Sequence, residues 1–168
     1  YTPETVGGRT VIFTTTNGTR ALERCRLAER VMIGAFVNLD AAARLAGKTS
    51  LPVHLVCAGT DGQTSAEDVL CAGAFVCGLL MVRGQRILAE NDAPRMAYEL
   101  YAYHLQERDS LLAALRESGG GPNLLDLGYD VDEDVRVRLV DAEHPTRRMP
   151  HRPNGTHGHL VQTPHGTI

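Results

Sequence analysis

Apolar and polar positions along the chain follow two rhythms in turn. Thr10 to Thr15 (TVIFTT) is a β-branched, apolar run, the pattern of a buried strand. Asn17-Gly18 interrupts it, and the next residues abandon the period of two. Ala21, Leu22, Cys25 and Ala28 recur at helical spacing instead. This predicts a strand turning into a helix over Thr19 to Glu29, capped by Thr16 or Asn17. Val31 to Phe36 (VMIGAF) reads as a second strand. Asn38 is placed to cap a helix over Leu39 to Ala46, ended by Gly47. Val53 to Ala58 (VHLVCA) reads as a third strand and Gly59 to Thr64 as a polar loop. Ser65 and Asp68 form the Ser-x-x-Asp pattern of a helix start, close to a capping box. The helix then runs to about Val82, apolar on nearly every face, as a buried helix is.

From Ala93 onward the helical period dominates. Pro94 suits a first turn, Met96, Leu100, Tyr103 and Leu105 supply one apolar face, and Leu111 to Leu115 another. Gly119-Gly120-Gly121-Pro122 is a clear break. Asn123 to Tyr129 and Asp134 to Val140 fit short helix or strand. Periodicity ends at His144, and His151 to Ile168, rich in His, Pro, Gly, Thr and Asn, predicts a disordered tail. The strand–helix alternation predicts an α/β fold: a mixed, largely parallel sheet flanked by helices, with a helical C-terminal region. A single domain over residues 1–143 and a tail over 144–168 follow.

Composition narrows the function classes. The chain has 168 residues, 43% of them apolar, enough for one domain with a buried core. A net charge of −3 argues against charge-driven nucleic-acid binding. Apolar stretches are too interrupted to span a membrane, and no signal segment opens the chain, so the cytoplasm is the expected location. Lys48 is the only lysine among 17 basic residues. Arginine suits carboxylate, phosphate or sulfonate, although base composition or surface drift is the preferred explanation of the bias. Cys25, Cys57, Cys71 and Cys77 form no Cys-x-x-Cys pair and sit in apolar segments, as packed free thiols do.

Two junctions carry candidate chemistry. At Thr14 to Arg20, a helix N-terminus offers N–H groups and a positive dipole end to an anion. Gly18 allows close approach, Thr16, Asn17 and Thr19 add donors, and Arg20 adds charge. An ordinary capped strand–helix turn has the same sequence, and the Gly-Lys-Ser/Thr ending of a Walker loop is absent. At Cys57 to Asp68, a polar loop with Gly59 and Thr60 carries Asp61, Glu67 and Asp68, oxygen ligands of the kind Mg²⁺ takes. A carboxylate there can also act as general base. The plainer alternative is that Glu67 and Asp68 complement the helix dipole. Cys57 borders this loop, and the packed-thiol reading is preferred to a nucleophile. The tail histidines fit adventitious metal binding at most; His54 lies in a strand pattern, and His104 has no evident partner.

At these junctions the sequence resembles the 2-phosphosulfolactate phosphatases. The resemblance rests on Thr-Thr-Thr-Asn-Gly-Thr-Arg-Ala at Thr14 to Ala21 and Ile-Gly-x-Phe-x-Asn at Ile33 to Asn38. It rests also on Val-Cys-Ala-Gly-Thr-x-Gly-x-x-Ser-x-Glu-Asp-x-x-Cys-Ala-Gly at Val56 to Gly73. It implies an α/β, Mg²⁺-dependent phosphatase of coenzyme M synthesis acting on 2-phosphosulfolactate or a related small phosphorylated anion. Family members also carry a preceding N-terminal segment, so this chain is expected to be the C-terminal part of a longer family domain. On this reading Thr16, Asn17, Gly18, Thr19, Arg20, Gly59 and Thr60 bind substrate. Asp61 and Glu67 hold the metal, and Glu67 and Asp68 are the catalytic candidates. Self-association into a homo-oligomer stays open. The rival is a truncated, non-catalytic anion-binding or interaction module.

Overall fold

In the computed structural model, residues 3–84, 89–106 and 108–126 are described, apart from the side chains at 108, 109 and 124. Helices run over Pro3–Val6 (α1), Thr16–Arg24 (α2), Leu39–Gly47 (α3), Ala66–Arg83 (α4), Ala93–Leu105 (α5), Arg108–Arg116 (α6) and Gly121–Asp126 (α7). A 3-10 turn, Phe36–Asn38, leads into α3. The fully apolar stretch predicted as a buried helix is α4, and it is the centre of the molecule. It packs against α3, α5 and α6. Leu70, Ala74, Tyr101, Leu111, Leu112 and Leu115 form one core cluster, and Val76, Leu80 and Tyr98 a second. A Cβ at Gly73 would run into the Ala97 carbonyl, so α4 and α5 approach closely only because that position is bare. Gly84, at φ 60°, ends α4 with its N–H on the Leu80 carbonyl, 2.9 Å away.

Arg83, in the last turn of α4, closes α3. Its Nε donates to the Gly47 carbonyl at 3.3 Å, and its Nη2 donates to Ala46 at 3.0 Å and Thr49 at 2.6 Å. The Ala46 and Gly47 carbonyls belong to the last turn of α3, where the helix's own N–H donors run out.

The predicted sheet is not formed. Among the described residues there is no strand ladder, and the single bridge joins Thr60 to Gln63. The backbone at Thr15 (φ −138°, ψ 156°) and Ala35 (φ −152°, ψ 167°) is extended, so the local preference of β-branched residues is honoured. A strand also needs a neighbouring strand to take up its N–H and C=O groups, and none of residues 10–15, 31–35 and 52–58 is part of a strand ladder. Ile12 is 89% exposed and Ile33 71%, which excludes a buried strand at either position. The third segment comes nearest to the expectation. Val53, Leu55 and Cys57 are half-buried, whereas His54, Val56 and Ala58 are exposed, a true period of two. Leu55 packs against Val76, Leu80 and Tyr98 on one side and against Ala42, Ala43 and Phe75 on the other. The segment is laid on helices rather than into a sheet, and the α/β assignment gives way to a helical one for the described residues. The Asp134 to Val140 and 144–168 readings lie outside them, as does the end of Asn123 to Tyr129.

Candidate functional site

The first junction is tied up by its own side chains. Thr15, one residue before Thr16 and two before Asn17, the predicted caps, is the N-cap of α2, and its Oγ1 accepts the Gly18 N–H at 2.9 Å. A Cβ on Gly18 would sit 2.6 Å from that oxygen, so the bare position permits the cap. The Thr15 N–H donates back to Thr19 Oγ1 at 3.1 Å, and Thr19 Oγ1 also meets Thr14 Oγ1 at 3.4 Å. Asn17, Gly18, Thr19 and Arg20 therefore lie inside the first turns of α2 rather than in a loop before it. Thr16, Thr19 and Arg20 are exposed, with Asn17 half-buried. The N–H groups of Thr16 and Asn17 point from the helix start and make no hydrogen bond recorded among the described residues. That end of α2 can receive an anion. Helix α2 buries none of its own residues.

The second junction is a tight turn on a helix start. Thr60 and Gln63 exchange two backbone hydrogen bonds of 3.0 and 2.9 Å. Between them Asp61 has φ 52° and Gly62 φ 78°, the paired positive values of a two-residue type I′ turn. This turn chemistry accounts for the Thr-Asp-Gly run. Gly59, at φ 68°, could bear no side chain because a Cβ would strike the Gln63 carbonyl. Its N–H donates to Asp68 Oδ2 at 2.7 Å, so Asp68 reaches back across the loop to fix it. The expected Ser65–Asp68 capping box does not form: Ser65 is the N-cap of α4 with no side-chain cap bond. Asn38 likewise sits at the start of α3 without a side-chain cap bond, accepting from the Ala35 N–H at 2.8 Å and donating to the Ile33 carbonyl at 3.1 Å.

Glu67 is the carboxylate with the most structured surroundings. Its Oε2 is buried and has no hydrogen-bond partner. Burial pushes its carboxyl upward, but hydrogen bonds from Ser65, its own N–H, Ser118 and the Gly120 N–H outweigh that and hold it below the ordinary value of 4.5. Asp61, at the turn's tip, is exposed. Among the described residues no group of three or more His, Cys, Asp or Glu is arranged to hold a metal. A cage made by protein alone is therefore not present among them. An orphaned carboxylate oxygen does suit Mg²⁺, which commonly keeps its waters and takes one or two carboxylates.

Cys57 packs under the loop with its thiol donating to the Asp68 carbonyl at 3.6 Å. Burial, then the Asp68 charge, pushes it from 9.0 to about 11. Burial and the charges of Asp68 and Cys57 push Cys71 to about 12. Both stay thiols at neutral pH, which fits packed sulfur rather than a nucleophile. His104, without an evident partner in sequence, meets Ser110 Oγ through Nδ1 at 2.8 Å across the α5–α6 turn.

The fold thus joins Gly59, Cys57 and Asp68 in one contact set, and Glu67 with Ser65 and the 118–120 turn in another. No hydrogen bond or ion pair recorded among the described residues joins Arg20 to Asp61, Glu67 or Asp68. Sequence reasoning missed Ser118 and Gly120; the glycine run after α6 was their one visible trace.

These features define a protein with an anion-receptive helix start and a carboxylate-bearing turn on a buried helix. The family model for 2-phosphosulpholactate phosphatase matches residues 1–140, and the chain belongs to that family. A probable 2-phosphosulfolactate phosphatase of Caldanaerobacter subterraneus is 51% identical over 140 residues, 83% of this chain and 55% of the relative. One from Symbiobacterium thermophilum is 40% identical over 133 residues, 79% of this chain and 54% of the relative. One from Thermotoga petrophila is 32% identical over 155 residues, 92% and 62% respectively. The chain spans little more than half the length of the first two relatives. No solved structure matches it significantly. No helix among the described residues is long and apolar enough to cross a membrane.

Proposed function

We propose that the chain carries the phosphate-releasing site of a phosphoric monoester hydrolase acting on 2-phosphosulfolactate or a similar small anionic phosphoester. The observation that carries this reading is the family match over residues 1–140. The two junctions then divide the work. The start of α2, with Thr16, Asn17, Gly18, Thr19 and Arg20, binds an anionic group through N–H donors, hydroxyls and the guanidinium. Gly59, pinned by Asp68, and Thr60 supply further backbone contacts to the substrate.

Glu67 takes the central role. A carboxylate held below its ordinary value is a weak proton acceptor. It serves as a fixed negative ligand and as the group that orients water, with Asp61 as the second metal-binding oxygen and Asp68 as the residue that keeps the loop in place. Mg²⁺, when bound, would neutralise charge on the phosphoryl oxygens. Cys57 stays protonated and takes no covalent part.

Phosphate release from 2-phosphosulfolactate and from an aryl phosphate, with and without Mg²⁺, tests the proposal. Both this chain and a form lengthened to match its relatives are assayed. Mg²⁺-dependent release from either form is expected. Silence from both, with binding of sulfolactate retained, would establish the rival of a non-catalytic anion-binding module. The exposure of Ile12 and Ile33 favours that rival's interaction surface.

A further inference from the structure

Glu67 has one carboxylate oxygen without a partner, so its position depends on what holds the other. The holder lies far along the chain, in the turn between α6 and α7. The three consecutive glycines there are not equivalent. A Cβ at Gly119 would meet nothing within 4 Å. A Cβ at Gly121 would strike the Leu115 and Arg116 carbonyls, so that position is bare for the turn's own sake. A Cβ at Gly120 would meet Glu67 alone, with Oε1 at 2.8 Å and Cδ at 3.5 Å. The middle glycine is thus the one whose missing side chain makes room for the carboxylate.

The turn is fixed independently of Glu67. Ser118 Oγ donates to the Leu115 carbonyl at 2.7 Å and accepts the Gly121 N–H at 3.2 Å. The Gly121 N–H is shared with the Ser118 carbonyl, also at 3.2 Å. Ser118 is 5% exposed. Its one hydroxyl proton is directed at the Leu115 carbonyl, which weakens its support of Glu67, and the Gly120 N–H is the turn's second donor to that carboxylate. From the other side Ser65, 6% exposed and free of any capping role, offers its hydroxyl.

We propose that Gly120, in the turn after α6, together with Ser65 positions Glu67 by anchoring Oε1 and leaving Oε2 as its free end. Its effect on rate rests on the phosphatase reading; the contact itself does not. Gly120→Ala pushes the carboxylate aside without touching the turn's own hydrogen bonds. In the active form, kcat is expected to fall about tenfold or more for a displacement of this size, with KM within about twofold and the thermal midpoint unchanged. Gly119→Ala is expected to match the parent. Shortening the acid in the same background, Glu67→Asp with Gly120→Ala, recovers part of the lost kcat by withdrawing from the added methyl. A readout free of activity accompanies these: in amide NMR spectra, Glu67→Gln shifts the Gly120 N–H and leaves Gly119 in place. A Gly120 amide that ignores Glu67→Gln overturns the proposal, as does a Gly120→Ala rate equal to that of Gly119→Ala in an active form. If no form releases phosphate while the Gly120 amide still responds, the contact is supported and the phosphatase reading alone is lost.

Discussion

Asp61 and Glu67 open the same junction with the same charge, yet their backbones put them to different uses. Asp61 pays a conformational cost, because φ 52° is a conformation few non-glycine residues adopt. Asp61→Gly removes that strain, worth about 1 kcal/mol in the left-handed region. The variant is expected to fold at least as stably while needing more Mg²⁺ for half-maximal rate. An unchanged Mg²⁺ requirement would reduce Asp61 to a turn residue. The thiols make a second prediction. The fold favours the protonated forms of Cys57 and Cys71, raised from 9.0 to about 11 and about 12. Unfolded thiols ionise near pH 9, so this contribution to stability is complete below pH 9 and is lost as pH rises toward 11 and 12. Thermal midpoints measured between pH 8 and 11 should fall, and less steeply in Cys57→Ala; an unchanged slope would contradict the burial argument. The Asp61-Gly62 turn was not read: Gly59 to Thr64 showed only as a polar loop, although Asp-Gly is a favoured type I′ pair. Nor was the meeting of Glu67 with Gly120 legible, because nothing local in either segment encodes the other.

Elements were legible to the extent that they are self-contained. Helix α4 was visible as a stretch apolar on nearly every face, α3 by its Asn38 and Gly47 boundaries, and α5 and α6 by their apolar faces, since a helix satisfies its own backbone. The segment at 53–58, read as a strand, alternates between half-buried and exposed positions with Leu55 turned inward, but joins no sheet. Its partner could not be read, because pairing is a property of two segments and the helices took the contact instead. Burial along α4 sets the strongest stability predictions. Leu70 and Leu111 are fully buried, and either one changed to Ala should cost about 2–5 kcal/mol in denaturant unfolding. Arg83→Met should cost about 2 kcal/mol by releasing charge-assisted hydrogen bonds at the end of α3, seen as selective loss of amide protection there. A cost near zero would mean water replaces the guanidinium without loss.

For the molecule as a whole, the described residues form one helical core around α4, beside a stretch of chain whose apolar side chains face outward. Ile12 is 89% and Leu27 91% exposed. Such a surface should bind an apolar fluorescent dye. Ile12→Ser with Leu27→Ser is expected to lower dye binding while leaving the thermal midpoint in place, because neither residue belongs to a core cluster. A matching fall in the midpoint would mean these side chains are packed after all. The family was legible from Thr14 to Ala21, Ile33 to Asn38 and Val56 to Gly73, three motifs in a fixed order and spacing. The central claim is that these junctions release phosphate with Glu67 as the ionised ligand. The most direct measurement is the initial rate of phosphate release from 2-phosphosulfolactate in saturating Mg²⁺, parent against Glu67→Gln, in the form of the chain that turns over. The expected result is a loss of about a hundredfold or more in kcat for the isosteric change. A Glu67→Gln rate equal to that of the parent would contradict it.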